Sequence, residues 1–154
     1  MQAEVKMSIE IPESHRDLLN GPRVAALTTI MPDGQPQTTV VWCNFDGTYM
    51  MVNTMRGFRK EKNMRLNPKV TLLCYDPRQP LRSIEVRGKV IEMTEDGAMK
   101  HLDDLCEIYT GRRPYFGTCV PVELKEKEIP LLCKILPTHI TVVDATKKET
   151  EHAS

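Results

Sequence analysis

The sequence predicts a mainly β fold, a six-stranded antiparallel β-barrel with helices at its periphery. Three observations carry this reading. Segments in which apolar and polar residues alternate recur between short turn signals, as half-buried strands do. Helix-period segments are inserted among them only at intervals. The 154 residues suffice for one domain with a real core, and a barrel of that size has little interior room for a large ligand.

The elements follow in order. Residues 1–11 read as an N-terminal arm, alternating at Val5, Met7, Ile9 and Ile11. Residues 12–145 are expected to form the folded domain. Pro12 opens a short helix, Glu13 to Asn20, which Gly21-Pro22 ends. Val24 to Met31 is a strand, and Pro32-Asp33-Gly34 turns the chain. Gln37 to Phe45 sets Thr38, Val40 and Trp42 on one face and Thr39, Val41 and Cys43 on the other. Asp46-Gly47 is a hairpin turn, so Thr48 to Thr54 completes an expected three-strand meander. A helix over Gly57–Leu66 is stopped by Asn67-Pro68, and Val70 to Tyr75 is an apolar strand expected to be buried on both faces.

After the Asp76–Pro80 loop, Ser83 to Met93 alternates with Ile84, Val86 and Val90 inward. Gly88 interrupts that inward face, which marks a bulge or a tight barrel corner. Thr94 is the expected cap of the next helix, whose packed face carries Ala98, Leu102, Leu105 and Tyr109 before Gly111 ends it. An irregular loop, Arg112 to Thr118, leads to a short charged helix, Val122 to Glu128. Leu131 to Leu136 and Thr138 to Val143 close the sheet, broken near Pro137. The polar end, 146–154, is expected to be a disordered tail.

Lys plus Arg and Asp plus Glu both number 21, so the chain is neutral. Nucleic-acid and membrane-surface binders usually carry a global basic excess, and neither partner is expected. No apolar run approaches the roughly 20 residues of a membrane helix. The five cysteines, Cys43, Cys74, Cys106, Cys119 and Cys133, form no close pair in sequence and read as reduced thiols of a cytoplasmic protein. The four histidines do not cluster, so no metal site is expected.

Positive charge is instead local. Between Asn53 and Pro68 stand Arg56, Arg59, Lys60, Lys62 and Arg65 against one acid, Glu61, where a strand gives way to a helix. Backbone N–H groups and the positive end of the helix dipole suit a small anion there, with the basic side chains as further donors. A solvated basic helix face is the plainer alternative.

The order of the pieces resembles a known family. The stretches that carry the resemblance are Ala25-Ala26-Leu27-Thr28-Thr29, Pro32-Asp33-Gly34-Gln35-Pro36-Gln37, Val40-Val41-Trp42 and Asp46-Gly47. They continue through Asn53-Thr54-Met55-Arg56-Gly57, Arg59-Lys60, Asn63-Met64, Asn67-Pro68 and Glu85-Val86-Arg87-Gly88. Over residues 12–143 the chain is similar to the pyridoxamine 5′-phosphate oxidase-like split-barrel proteins, in particular their flavin and F420 (deazaflavin) oxidoreductase branch.

That resemblance implies a homodimeric split β-barrel with cofactor sites at the dimer interface. It implies that Arg59 and Lys60 bind the cofactor phosphate, cradled by Thr54, Met55 and Arg56. Gln37, Thr39 and Val40 would lie along the ring, Asn53 would bond its polar edge, and Arg82 and Arg87 would reach the site from the partner. The function implied is hydride transfer between F420 and a small organic substrate, with no dedicated catalytic acid or base. The alternatives are an FMN-dependent flavin reductase or pyridoxamine-phosphate-oxidase-like enzyme, and a non-catalytic flavin or haem binder.

Other residues have plainer readings. Trp42, the one tryptophan, is expected in the core. His139 is expected to be a hydrogen-bonded structural histidine, and Cys119 and Cys133 structural thiols. Arg112, Arg113, Tyr115 and Phe116 either grip an acidic or planar ligand or form a packed surface loop.

Overall fold

Alternation along each strand decides which face is buried, and a curled sheet then decides which strands meet. The computed structural model describes residues 9–144. The first eight residues of the expected arm and the expected tail lie outside them.

After a 3-10 turn, Glu13–Leu19, the first strand β1 (Ala25–Ile30) buries Ala25, Leu27 and Thr29. It pairs antiparallel with β2 (Pro36–Val41) across a tight turn in which Met31 and Gly34 bond at 2.8 Å, with Gly34 at φ +92°. The chain passes Trp42 and enters β3 (Cys43–Phe45), which pairs with β4 (Met50–Met55). The Asp46 carboxylate shapes that hairpin by accepting the Thr48 and Tyr49 amides at 2.8 and 2.7 Å.

Helix α1 (Arg59–Leu66) leads to β5 (Lys69–Asp76), then to the long β6 (Gln79–Thr94). Helix α2 (Ala98–Thr110) and a 3-10 turn, Val122–Glu126, precede the long closing strand β7 (Pro130–Asp144). The sheet order is β2-β1-β5-β6-β7-β4-β3, with every pairing antiparallel.

The strands number seven rather than the expected six. The added one comes from residues 37–45, which are not the middle of a meander. They divide at Trp42, and their halves pair with strands near opposite ends of the sheet. Because Val41 and Cys43 are consecutive neighbours of Trp42, the two sheet edges are drawn together there, which curls the sheet into a barrel. Alternation continues through the break, with Val41 and Cys43 both buried. Periodicity therefore reports the face of each residue but not its pairing partner.

Three further expectations are corrected. β5 is buried on one face only: Val70, Leu72 and Cys74 point inward while Leu73 is 41% exposed. An antiparallel strand leaves one face of the sheet for other contacts. Helix α2 begins after Gly97 (φ +78°) rather than at Thr94, whose hydroxyl accepts the Asp96 amide at 3.0 Å in a local turn. Its C-terminus is as expected, with the Gly111 N–H donating to Glu107 O at 2.8 Å. Finally, β7 runs unbroken through Pro137, which pairs with Gly88 where the register shifts. The missing proline N–H is tolerated at such an irregularity.

Leu27, Met50, Val52, Leu72, Ile84, Val86 and Ile135 fill the barrel, and Leu18 and Leu19 of the first 3-10 turn are buried in the same core. A smaller cluster of Met55, Leu102 and Phe116 joins α2 and the following loop to the end of β4. Among the described residues, no helix is long and apolar enough to cross a membrane.

Candidate functional site

The strand-to-helix junction is built by its own side chains. β4 ends at Met55, Gly57 takes φ +91°, and the Phe58 N–H donates to Met55 O at 3.1 Å. Glu61 reaches back and accepts the Gly57 N–H at 2.9 Å, with its other oxygen on Arg65 Nε. Burial raises the Glu61 carboxyl, but the Gly57 N–H and Arg65 outweigh it and hold the group below the usual carboxylate range. The first intrahelical bond of α1 is Lys62 N–H to Phe58 O, which leaves the amides of Arg59, Lys60 and Glu61 at the open helix end.

A cavity of about 230 Å³ opens beside this junction. Its wall is made by Val40, Val41 and Trp42 from the end of β2, and by Asn53, Thr54 and Met55 from the end of β4. Phe58 and Lys60 come from the start of α1, Leu102 and Leu105 from α2, and Tyr115 from the following loop. Most of the lining residues are apolar or aromatic. Trp42 is half-buried, stacked on Tyr109 at 5.1 Å between ring centroids and edge-on to Tyr115 at 6.1 Å. It is a wall of the site rather than a core residue, because its neighbours Val41 and Cys43 take the inward positions.

Three polar groups stand in that wall. Lys60 is half-buried and makes no ion pair among the described residues; burial holds its ammonium below the ordinary lysine range, offset in part by Cys133. Asn53 Oδ1 and Thr54 Oγ1 are buried without a hydrogen-bond partner. An unmet buried polar atom costs about 1–3 kcal/mol, so both suit a ligand that supplies the partner. The Asn53 amide nitrogen is engaged: it donates to Ala98 O at 2.9 Å and lies 3.2 Å from His101 Nδ1. His101 Nε2 in turn lies 2.8 Å from Asn44 Oδ1. Burial holds His101 neutral, pushed down to about 4 despite Asp104 nearby. A slot with aromatic walls, a desolvated cation and unmet polar groups fits a planar ring that carries a phosphate.

The structure brings Val40, Asn53, Thr54, Met55 and Lys60 together around this cavity. Arg59 is exposed in the first turn of α1 beside it. Gln37 and Thr39 are half-buried on β2 and do not line it; Gln37 Oε1 accepts from Asn63 Nδ2 at 3.2 Å and Thr29 Oγ1 at 3.4 Å. Arg56 is paired with Glu95. Arg82 lies elsewhere, held to Asp17 at 2.5 Å and Ser14 O at 2.8 Å. Arg87, with Glu85 at 3.1 Å, lines a separate groove of about 460 Å³ with Lys69, Lys89 and Thr138.

The Arg112–Phe116 loop divides its roles. Tyr115 lines the cavity and Phe116 is buried beneath, while Arg113 binds Glu107 at 2.7 Å and Asp104 at 3.0 Å. His139 lacks the expected bond, since its buried Nε2 has no partner. All five cysteines are free, and among the described residues no three His, Cys, Asp or Glu side chains gather as a metal site requires. His101 and Phe58 carried no signal of their own in the sequence. The first is a lone histidine on a helix, and the second lies inside a basic run.

Residues 11–130 match the family model described as pyridoxamine 5′-phosphate oxidase. Among solved structures, an F420 reductase is 28% identical, with 85% of this chain and 98% of that chain covered and a TM-score of 0.73. The conserved hypothetical protein Rv2991 from Mycobacterium tuberculosis is 25% identical over 99% of this chain and 96% of its own, with a TM-score of 0.70. An FAD-binding protein (mll6688) from Mesorhizobium loti shares the fold at 19% identity, covering 84% and 92% of the two chains with a TM-score of 0.57. A comparison with curated proteins gave no match.

Proposed function

The chain belongs to the pyridoxamine 5′-phosphate oxidase family of flavin-type oxidoreductases, and from that premise we propose that it transfers hydride between the deazaflavin F420 and a small organic substrate. The observation that carries this is the cavity at the β4–α1 junction, where aromatic walls meet Lys60 and the unpartnered Asn53 Oδ1 and Thr54 Oγ1. The 28% identical F420 reductase, nearly all of which is covered, favours the deazaflavin over FMN.

In this reading Lys60, Arg59 and the open amides of α1 hold the phosphate, the donors that anion requires. Val40, Trp42 and Tyr115 bound the ring, and Asn53 and Thr54 bond its polar edge. When bound, the cofactor supplies the hydride chemistry; the chain contributes position, charge and exclusion of water. Arg56, already paired with Glu95, steadies the turn instead of contacting phosphate.

The site is completed by a second copy of the chain. The cavity falls below the roughly 300 Å³ at which ligand pockets begin, and Val40 at its mouth is 71% exposed. Leu73, Tyr75 and Leu81 also leave apolar surface on the outer sheet, suited to a partner. Arg87 and its groove would face the ligand from that partner. Arg82, engaged by Asp17, is left outside the site. Five free thiols suit a reducing cytoplasm.

Absorption of the purified protein and fluorescence titrations with F420 and FMN test the proposal, with sedimentation reporting a dimer. Tight retention of FMN without deazaflavin binding would overturn the cofactor assignment. Binding without turnover against reductants and acceptors would make the protein a carrier.

A further inference from the structure

The polar edge of the cavity has a fixed hydrogen-bonding sense, set outside the cavity itself. The Asn53 amide group that lies 2.9 Å from Ala98 O must be its NH2 end, because a backbone carbonyl only accepts. The same NH2 end lies 3.2 Å from His101 Nδ1, so that nitrogen must be the acceptor of the ring. The ring proton then sits on Nε2 and donates to Asn44 Oδ1 at 2.8 Å. One carbonyl thus sets the sense of three side chains, and none can be turned over without setting acceptor against acceptor or donor against donor. With both Asn53 amide hydrogens engaged, its Oδ1 is left buried and unmet at the cavity wall.

We infer that Ala98 O and His101 together lock Asn53 as an acceptor toward the cavity, with His101 the positioning side chain, and that the site thereby selects a ring bearing an imide N–H. This rests on the flavin-type reading above and deepens it. FMN and deazaflavin rings both carry such an N–H between two carbonyls. Thr54 Oγ1, equally unmet, has a hydroxyl proton for one of those carbonyls. A ring edge that offers only acceptors, or an alkylated imide, leaves Asn53 Oδ1 buried without a donor. The histidine touches no ligand in this scheme; it acts through the asparagine.

The test uses ring compounds without a phosphate, so that Lys60 plays no part. Lumiflavin and its N3-methyl analogue are titrated into the full chain, with quenching of Trp42 and ring fluorescence as readouts. The wild type is expected to bind the methylated ring roughly tenfold or more weakly, the effect of losing one bond to a buried acceptor. His101→Leu removes one of the two acceptors that hold the amide nitrogen and should reduce that discrimination, with Ala98 O retaining the rest. His101→Gln restores an acceptor and a donor and should keep it. A merely structural histidine would weaken both rings alike.

Wild-type protein that binds both rings equally overturns the inference and leaves the cofactor assignment standing. Protein that binds neither lumiflavin nor any intact flavin overturns both. Nitrogen-15 spectra of wild-type His101 need no variant, and they guard against a His101→Leu chain that fails to fold. A proton on Nε2 is expected, and one on Nδ1 overturns the lock.

Discussion

The Glu61 carboxylate accepts the Gly57 amide N–H at 2.9 Å, four residues back across the start of α1. This bond holds the left-handed glycine turn from which the helix begins and so orients the amides of Arg59 and Lys60. Glu61 is 5% exposed and its second oxygen engages Arg65, so the charge is both buried and paired.

Replacing Glu61 with Ala leaves the Gly57 N–H unmet and is expected to cost about 1–3 kcal/mol in urea unfolding. The carboxyl is held below its ordinary value in the folded chain. Its contribution is therefore complete above the unfolded carboxyl range, near pH 4.3. It is lost as pH falls through the lower folded value. Glu61→Gln should flatten that acid limb of the stability curve; an unaltered limb would remove Glu61 as its source.

Lys60→Ala is expected to weaken binding of the phosphate-bearing cofactor by about 1.5–3 kcal/mol. The dephosphorylated ring should bind as before, and fluorescence titration of both separates the two effects. Burial lowers the Lys60 ammonium, and only the charged form holds phosphate. Wild-type affinity should thus decline with rising pH earlier than an ordinary lysine would allow, and the Ala variant should lack that inflection.

Gly88→Ala tests the barrel corner. A Cβ there would meet Ile135 Cγ2 at 2.6 Å and the Leu136 carbonyl oxygen at 2.8 Å, and the second contact is backbone. The expected loss is about 1–3 kcal/mol from overpacking, read as a lower thermal midpoint. An unchanged midpoint would mean that β6 and β7 separate there at little cost.

Tyr109→Phe tests the support beneath Trp42. The Tyr109 hydroxyl accepts the Cys43 N–H at 3.0 Å and lies 2.8 Å from Arg23 O, which it reaches as donor. Its removal strands the amide and is expected to cost about 1–3 kcal/mol. Emission from Trp42, the single tryptophan, should shift as the stacked ring loosens.

Local chemistry was legible wherever it decides structure locally. Asp46-Gly47, Pro32-Asp33-Gly34 and Gly111 ended their elements as read, and Gly88 interrupts β6 at a register shift. The Asn53–Lys60 stretch stands at a strand-to-helix junction. Gln37, Thr39 and Arg56 share its neighbourhood in sequence but not the cavity, because strand pairing and the Glu95 ion pair direct them elsewhere. Trp42 and Tyr115 stand 73 positions apart and meet only because α2 folds back over β4.

What the sequence by itself determined is periodicity, turn chemistry and a basic strand-to-helix junction, since these depend on neighbours a few residues apart. The tertiary structure decided that residues 36–45 serve both edges of one curled sheet, that Trp42 walls a cavity, and that Ala98, His101 and Asn44 set the orientation of Asn53. Those outcomes depend on which distant surfaces close on one another, and a one-dimensional period of two or 3.6 residues carries no record of the partner.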